Sequence, residues 1–196
     1  LEYQKTLEQM NQDIANLKQG RSIMSYLDTI EIQLAELPQM YLLSVRKMVQ
    51  ENDFPEEYEK CYGKLFKKML EDKLTAAAPP MVLFHSEEFT SLGLDTEFAI
   101  PVKEYATGTR DHCPGLCLKT VLHGSYSALP SVYAKQRRWA EKEGYEGNGA
   151  LCEVYITDPS QVSSEDELIT EIYYPVKKKT TKTQTASRSN AKENEI

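Results

Sequence analysis

Two short stretches of this chain set a carboxylate two residues from a phenol: Glu153-Val154-Tyr155 and Glu171-Ile172-Tyr173, both among strand-forming residues. Residues two apart on a strand share a face. Each pair therefore presents an anionic oxygen beside an aromatic ring. A flat organic cation suits such a surface, because rings stack on it and the carboxylate balances its charge. A glutamate whose pKa is raised by an apolar pocket can also serve as a general acid or base. A third glutamate, Glu97, sits in "TEFAIPVK" (96–103), which nearly repeats "TEIYYPVK" (170–177) at an offset of 74. Glu171 shares its face with Tyr173, whereas Glu97 shares its face with Ala99, which offers no ring. That asymmetry makes Glu171 the leading ligand contact and Glu97 a structural or groove-edge carboxylate. The plainer reading of such a face is that it is wet, or that Glu171 pairs with a lysine.

A loose cluster of His112, Cys113, Cys117 and His123 raises metal binding, but Cys-x3-Cys lacks the paired signature of a zinc site. No metal and no cofactor is expected. The four cysteines outline no disulfide framework and read as reduced thiols of a cytoplasmic protein. Net charge is −7 over 196 residues, which argues against nucleic-acid binding by this segment alone, since phosphate neutralisation needs a basic surface. The basic helix positions Lys135, Arg137, Arg138 and Lys142 read as a solvated face. No apolar run is long enough to span a membrane, and no membrane partner is expected. The sequence opens at Leu1 inside a helical pattern, which suggests a piece of a longer protein.

Elements with distinct periodicities must position these groups. Leu7, Met10, Ile14, Leu17 and Met24 follow a narrow 3-4-3 spacing, interrupted at Arg21, that predicts a dimerisation coiled coil over residues 1–28. Ile30, Ile32 and Leu34 alternate like a strand, and 40–47 is a second strand. Residues 52–74 read as a helix capped by Asn52 or Asp53, with Tyr58, Tyr62, Leu65 and Met69 as its buried stripe. Strands follow at 81–85 and 96–102. The order then repeats: strand 115–124, helix 127–144, strands 151–157 and 168–176. Val82-Leu83-Phe84 aligns with Val154-Tyr155-Ile156 at an offset of 72. In this reading Ile172, Tyr174, Val176, Val154 and Ile156 pack under the helices. Glu171, Tyr173, Glu153 and Tyr155 share the other face, matched in the first unit by Glu97, Ala99, Leu83 and His85. Residues 178–196 are rich in Lys, Thr and Ser and read as a disordered basic tail.

The stretches "LKTVLHGSYSALPSVYAKQRRWAEKEGY", "LCEVYITDP" and "ELITEIYYPV" closely resemble the GyrI-like small-molecule-binding domain, over roughly residues 29–177. The segment before them resembles the junction in MerR-type transcriptional regulators, where a dimerisation helix leads into a GyrI-like effector domain. The resemblance implies an α+β fold of tandem βαββ units, the regulatory factor effector-binding fold, behind an N-terminal coiled-coil helix. It implies a homodimer through residues 1–28 and a small, bulky, aromatic and cationic effector in a groove between the units. Promoter DNA would be reached only through an upstream winged helix-turn-helix that this sequence does not include. Glu171 matches the family's pocket glutamate, with Tyr155 and Tyr173 on the same wall. Tyr126, Trp139, Glu153 and Glu97 complete the candidate ligand contacts, although the helical spacing of Trp139 with Val132 and Gln136 reads first as core. Some relatives are similar to hydrolases of strained, cyclopropane-containing toxins, the alternative activity. No catalytic residue is expected for the sensor itself.

Overall fold

The computed structural model describes residues 30–86 and 90–180. The predicted coiled coil over 1–28 and most of the predicted tail lie outside them. Nine strands and two helices follow in the order β1 (Gln33–Leu37), β2 (Met40–Val49), α1 (Phe54–Glu71), β3 (Met81–Phe84), β4 (Leu94–Val102), β5 (Thr109–His112), β6 (Gly115–His123), α2 (Leu129–Lys142), β7 (Tyr145–Gly147), β8 (Leu151–Tyr155) and β9 (Ile169–Lys178). The short strands β5 and β7 carry no clear alternation, and sequence periodicity missed them. β1 begins at Gln33, so Ile30 and Ile32 precede the strand and pack against the α2 core instead.

The sheet is antiparallel, in the order β1-β6-β9-β8-β3-β4-β2-β5, with β7 beside β9. Its centre is the β3–β8 pair. To one side lie β3, β4 and β2 with α1; to the other lie β8, β9 and β6 with α2. These are the two βαββ units. Proline in the first turn suits each helix, because its missing N–H has no partner there anyway. Asp53 is the N-cap of α1, yet its side chain makes no capping hydrogen bond. One apolar stripe of α1 (Cys61, Tyr62, Leu65) packs on Leu43, Val82, Phe98 and Ile100. Val132 and Ala140 of α2 pack on Leu118, Ile172 and Tyr174. Between them on α2, buried Gln136 donates its amide to the carbonyls of Leu118 and Ile172 and to Thr120 Oγ1, at 3.2, 3.2 and 3.1 Å. A polar side chain thus ties the helix to two strands while satisfying its own buried donors.

The opposite sheet face is also buried, although neither helix packs on it. Leu42, Leu83, Ala99 and Cys117 are almost wholly inaccessible, joined by Met81, Cys152, Val154 and Tyr173. The connections explain this. Leu37 ends an edge strand, and Met40 begins a strand at the far side of the sheet. Three residues reach at most about 11 Å. His112 to Gly115 makes a second short hop from β5 to β6. The sheet must therefore roll until its ends approach, and Gln39 Nε2 donates to Asp111 Oδ1 at 2.7 Å near that closure. Small side chains such as Ala99, Cys117 and Cys152 fit the crowded inside of the roll.

Candidate ligand-binding site

The register decides which glutamate meets which surface. Glu153 lies opposite Val82 on one side and Ile172 on the other, so it points to the helix face with Tyr155. Glu171 lies opposite Val154 and Val121, and Tyr173 opposite Cys152 and Lys119, so both belong to the inside of the roll. The expectation that Tyr155 and Tyr173 share one wall is therefore corrected. Alternation along each strand is legible in sequence, but the phase between strands is set by pairing, and a one-residue slip inverts it. The offset of 72 was one residue out: helix-face positions Val82 and Phe84 correspond to Glu153 and Tyr155, an offset of 71. The matched set Glu97, Ala99, Leu83 and His85 does share the inner face.

The inner-face carboxylates are both neutralised by the protein. Lys119 Nζ stands 2.6 Å from Glu171 Oε1, and the Tyr173 hydroxyl donates to Glu171 Oε2 at 2.7 Å. Burial pushes the Glu171 carboxyl up, but these two donors bring it below its ordinary value. Glu97 is almost fully buried. Arg110 grips it with both Nε and Nη2, at 2.7 and 2.6 Å, and His85 Nε2 is 2.7 Å from Oε2. Burial raises its pKa, yet hydrogen bonds from Arg110, Ser44 and His85 outweigh that and lower it to about 2. Bidentate Arg–carboxylate pairs are among the stronger polar contacts.

Glu153 is held differently. It is 3% exposed, and among the described residues its hydrogen bond comes from the Tyr155 hydroxyl to Oε2, at 2.6 Å. Among the described residues no cation pairs with it. Burial raises its pKa to about 7, and the Tyr155 bond opposes that only in part. Around it stand aromatic rings from both units. Tyr58 and Tyr126 each meet Tyr155 edge-on, at centroid distances of 5.6 and 5.8 Å. Tyr62 packs 4.6 Å from Tyr58 and anchors its hydroxyl on the Met81 carbonyl at 2.6 Å. The helical spacing of Tyr58 and Tyr62 brings both rings to one face of α1. Tyr126 comes from the short turn that opens α2. Above Tyr155 lies a cleft of about 440 Å³, lined by Tyr58, Tyr62, Phe66, Pro79, Pro80 and Tyr155 among others. Tyr58, Tyr62 and Tyr155 give the cleft an aromatic wall, with the Glu153 carboxyl hydrogen-bonded to Tyr155, and such a wall suits an aromatic cation.

The GyrI-like small-molecule-binding domain family matches residues 30–177. The chain belongs to the GyrI-like family. The C-terminal domain of EcmrR shares the fold of this GyrI-like chain, with a TM-score of 0.61 and 23% identity over 76% of this chain and 99% of that one. The EcmrR chain in its DNA complex matches over 91% of this chain and 69% of that one, with a TM-score of 0.66 and 23% identity. SAV2435, solved with tetraphenylphosphonium bound, matches with a TM-score of 0.52 and 15% identity over 75% of this chain and 94% of that one. A hydrolase from Listeria innocua gives 0.56 and 16%, over 78% and 96%. At such identities the likeness is one of fold. Among curated proteins the comparison finds no match.

In this GyrI-like domain the candidate residues therefore separate into three groups. Glu153, Tyr155 and Tyr126 come together on the helix side of the sheet, where Tyr155 lines the cleft and the other two contact Tyr155. Glu171, Tyr173 and Glu97 lie on the other face of the sheet. Trp139 stacks on Tyr145 at 5.9 Å, within the α2 core. Sequence reasoning placed Tyr58 and Tyr62 in a buried helix stripe and missed that both also line the cleft. The available signal was that such a stripe carried phenols where aliphatic residues would pack as well. His112, Cys113, Cys117 and His123 form no metal-sized group with other ligands among the described residues. Cys117 is buried inside the roll, while Cys113 is exposed.

Proposed function

We propose that the domain is the effector-sensing part of a MerR-type transcriptional regulator and binds a bulky aromatic cation in the groove above Glu153. The carrying observation is a buried glutamate with no cationic partner among the described residues, set behind tyrosines from both units. Tetraphenylphosphonium, the molecule bound to the similarly folded SAV2435, has that chemistry. The cleft floor is Tyr155, so an entering cation reaches the carboxylate by displacing the Tyr155 hydroxyl or by acting across it. The groove is contributed by both βαββ units, so a ligand that binds both favours one relative arrangement of them. A dimerisation helix over residues 1–28 would carry that shift to a DNA-binding domain upstream. The larger coverage of the match to the EcmrR–DNA complex supports the regulator reading.

Titration with tetraphenylphosphonium and a neutral triaryl analogue tests the site. Glu153→Gln is expected to weaken the cation at least tenfold and to leave the neutral compound nearly unchanged. Equal losses for both ligands, or none, would remove Glu153 from the site. Glu171→Gln, whose carboxylate is already paired, is expected to change the cation little; a loss as large as that of Glu153→Gln would restore Glu171 as the ligand contact. A second reading is hydrolytic, because a carboxyl poised near neutrality beside a phenol is suited to acid–base catalysis. Incubation with a cyclopropane-bearing toxin, followed by mass spectrometry, separates turnover from binding.

A further inference from the structure

We propose that the groove is a two-centred site for an aromatic dication, with Glu153 as the inner anion and Asp158 and Glu59 as the outer pair. This rests on the reading of the groove as a cation site. The cleft lining includes Glu59 from α1 and Asp158 from the loop after β8, and no Lys or Arg among the described residues. Tyr58 and Tyr126 each lie in the fields of both Glu153 and Asp158. The rings thus lie near both a buried carboxylate and an exposed one, a combination that suits an aromatic with a charge at each end. Asp158 is held in place: its Oδ1 accepts from the Ser160 N–H at 2.8 Å and from the Ser160 hydroxyl at 2.7 Å. Its Oδ2 has no donor among the described residues. Glu153 and Asp158 are five residues apart, with a bend at Ile156 and Thr157 between them, so their Cα atoms lie no more than about 17 Å from one another. That limit admits two amidinium or ammonium groups joined by a conjugated or short linked aromatic frame. The loop from Ile156 to Leu168 carries Asp158, Glu165, Asp166 and Glu167 and no basic residue, and its Asp158, Pro159 and Gln161 line the cleft.

The test compares diamidinostilbene with the analogue in which one amidine is a carboxamide, so that shape is kept and one charge is lost. Asp158→Asn keeps the capping oxygen for Ser160, since Asn caps as well as Asp. Asp158→Asn and Glu59→Gln are each expected to weaken the dication about threefold, as partly exposed charge pairs do, and to leave the single-charged analogue unchanged. Glu153→Gln is expected to weaken both compounds. Equal weakening of the two compounds by the rim variants, or no weakening of either, overturns the two-centred site. If Glu153→Gln also leaves both unchanged, the underlying cation site fails as well.

Discussion

Glu153, Glu97 and Glu171 are three glutamates of similar sequence context with three electrostatic fates. Glu97 is bound by Arg110 and His85, and Glu171 by Lys119 and Tyr173. Among the described residues Glu153 has a phenol and no cation. A carboxyl buried without a cation binds its proton more tightly in the folded state, here to about pH 7, than when unfolded. Its contribution to stability is therefore fully present below the unfolded value near 4.3 and is lost as pH rises through about 7. Across that window the loss is about 4 kcal/mol. Glu153→Gln is expected to abolish it, so the variant should gain in melting temperature over the native protein at pH 8 and gain little at pH 5. Cation binding must expel the same proton. Affinity for tetraphenylphosphonium is expected to fall about tenfold per pH unit below 7. Calorimetry at pH 6 in two buffers of different ionisation enthalpy should show one proton released. Tyr155→Phe removes the donor that favours the charged form, so the midpoint of that pH profile should move upward.

At the scale of elements, the positions of the helices decide the groove, and α2 is positioned by a polar contact. Gln136 reaches both β6 and β9 from a stripe otherwise made of Val132 and Ala140. Gln136→Leu would leave Thr120 and two carbonyls without this donor in an apolar setting. A loss of about 2 kcal/mol is expected in urea unfolding, with a smaller penalty for Gln136→Glu only at acidic pH, where the introduced carboxyl is protonated. A fully stable Gln136→Leu protein would show that the strand ladder alone satisfies those groups. The helices were legible in sequence because Tyr58, Tyr62 and Leu65, or Val132 and Gln136, recur at helical spacing. β5 and β7 were not, because Thr109–His112 and Tyr145–Gly147 are too short to show a period.

The whole molecule is a rolled sheet with helices outside and a second core inside. That inside is closed near β5 by the Glu97–Arg110 pair. Arg110→Ala would strand a buried carboxylate. The Arg110 side chain is 40% exposed, so solvent screens part of the interaction and a loss of about 2 kcal/mol is expected. Because Glu97 titrates at about 2 when folded, its contribution is present above the unfolded value and is lost as pH falls through about 2. Acid unfolding of Arg110→Ala should therefore begin at a higher pH than in the native protein. An unchanged acid transition would show that His85 and Ser44 suffice to hold Glu97.

The amino-acid sequence by itself determined the tandem βαββ order, the helices, the repeated strand at an offset of 74 and the pairing of glutamate with tyrosine on alternating positions. These follow from local periodicity and cap chemistry, which act within a few residues. It also showed that Glu153 and Tyr155 share a face, as do Glu171 and Tyr173. Whether the two pairs share a face with each other was settled only by tertiary structure. Val154 pairs with Glu171, and Ile172 with Glu153, so the pairs lie back to back across the sheet. The physical reason is that side-chain alternation is a property of one strand, whereas the phase between strands comes from hydrogen-bonded register, which no single strand encodes. The same limit hid the cationic partners. Lys119 is a neighbour of Tyr173 and Arg110 of Leu42 only after pairing, and of the three glutamates only Glu153 has no cationic partner among the described residues.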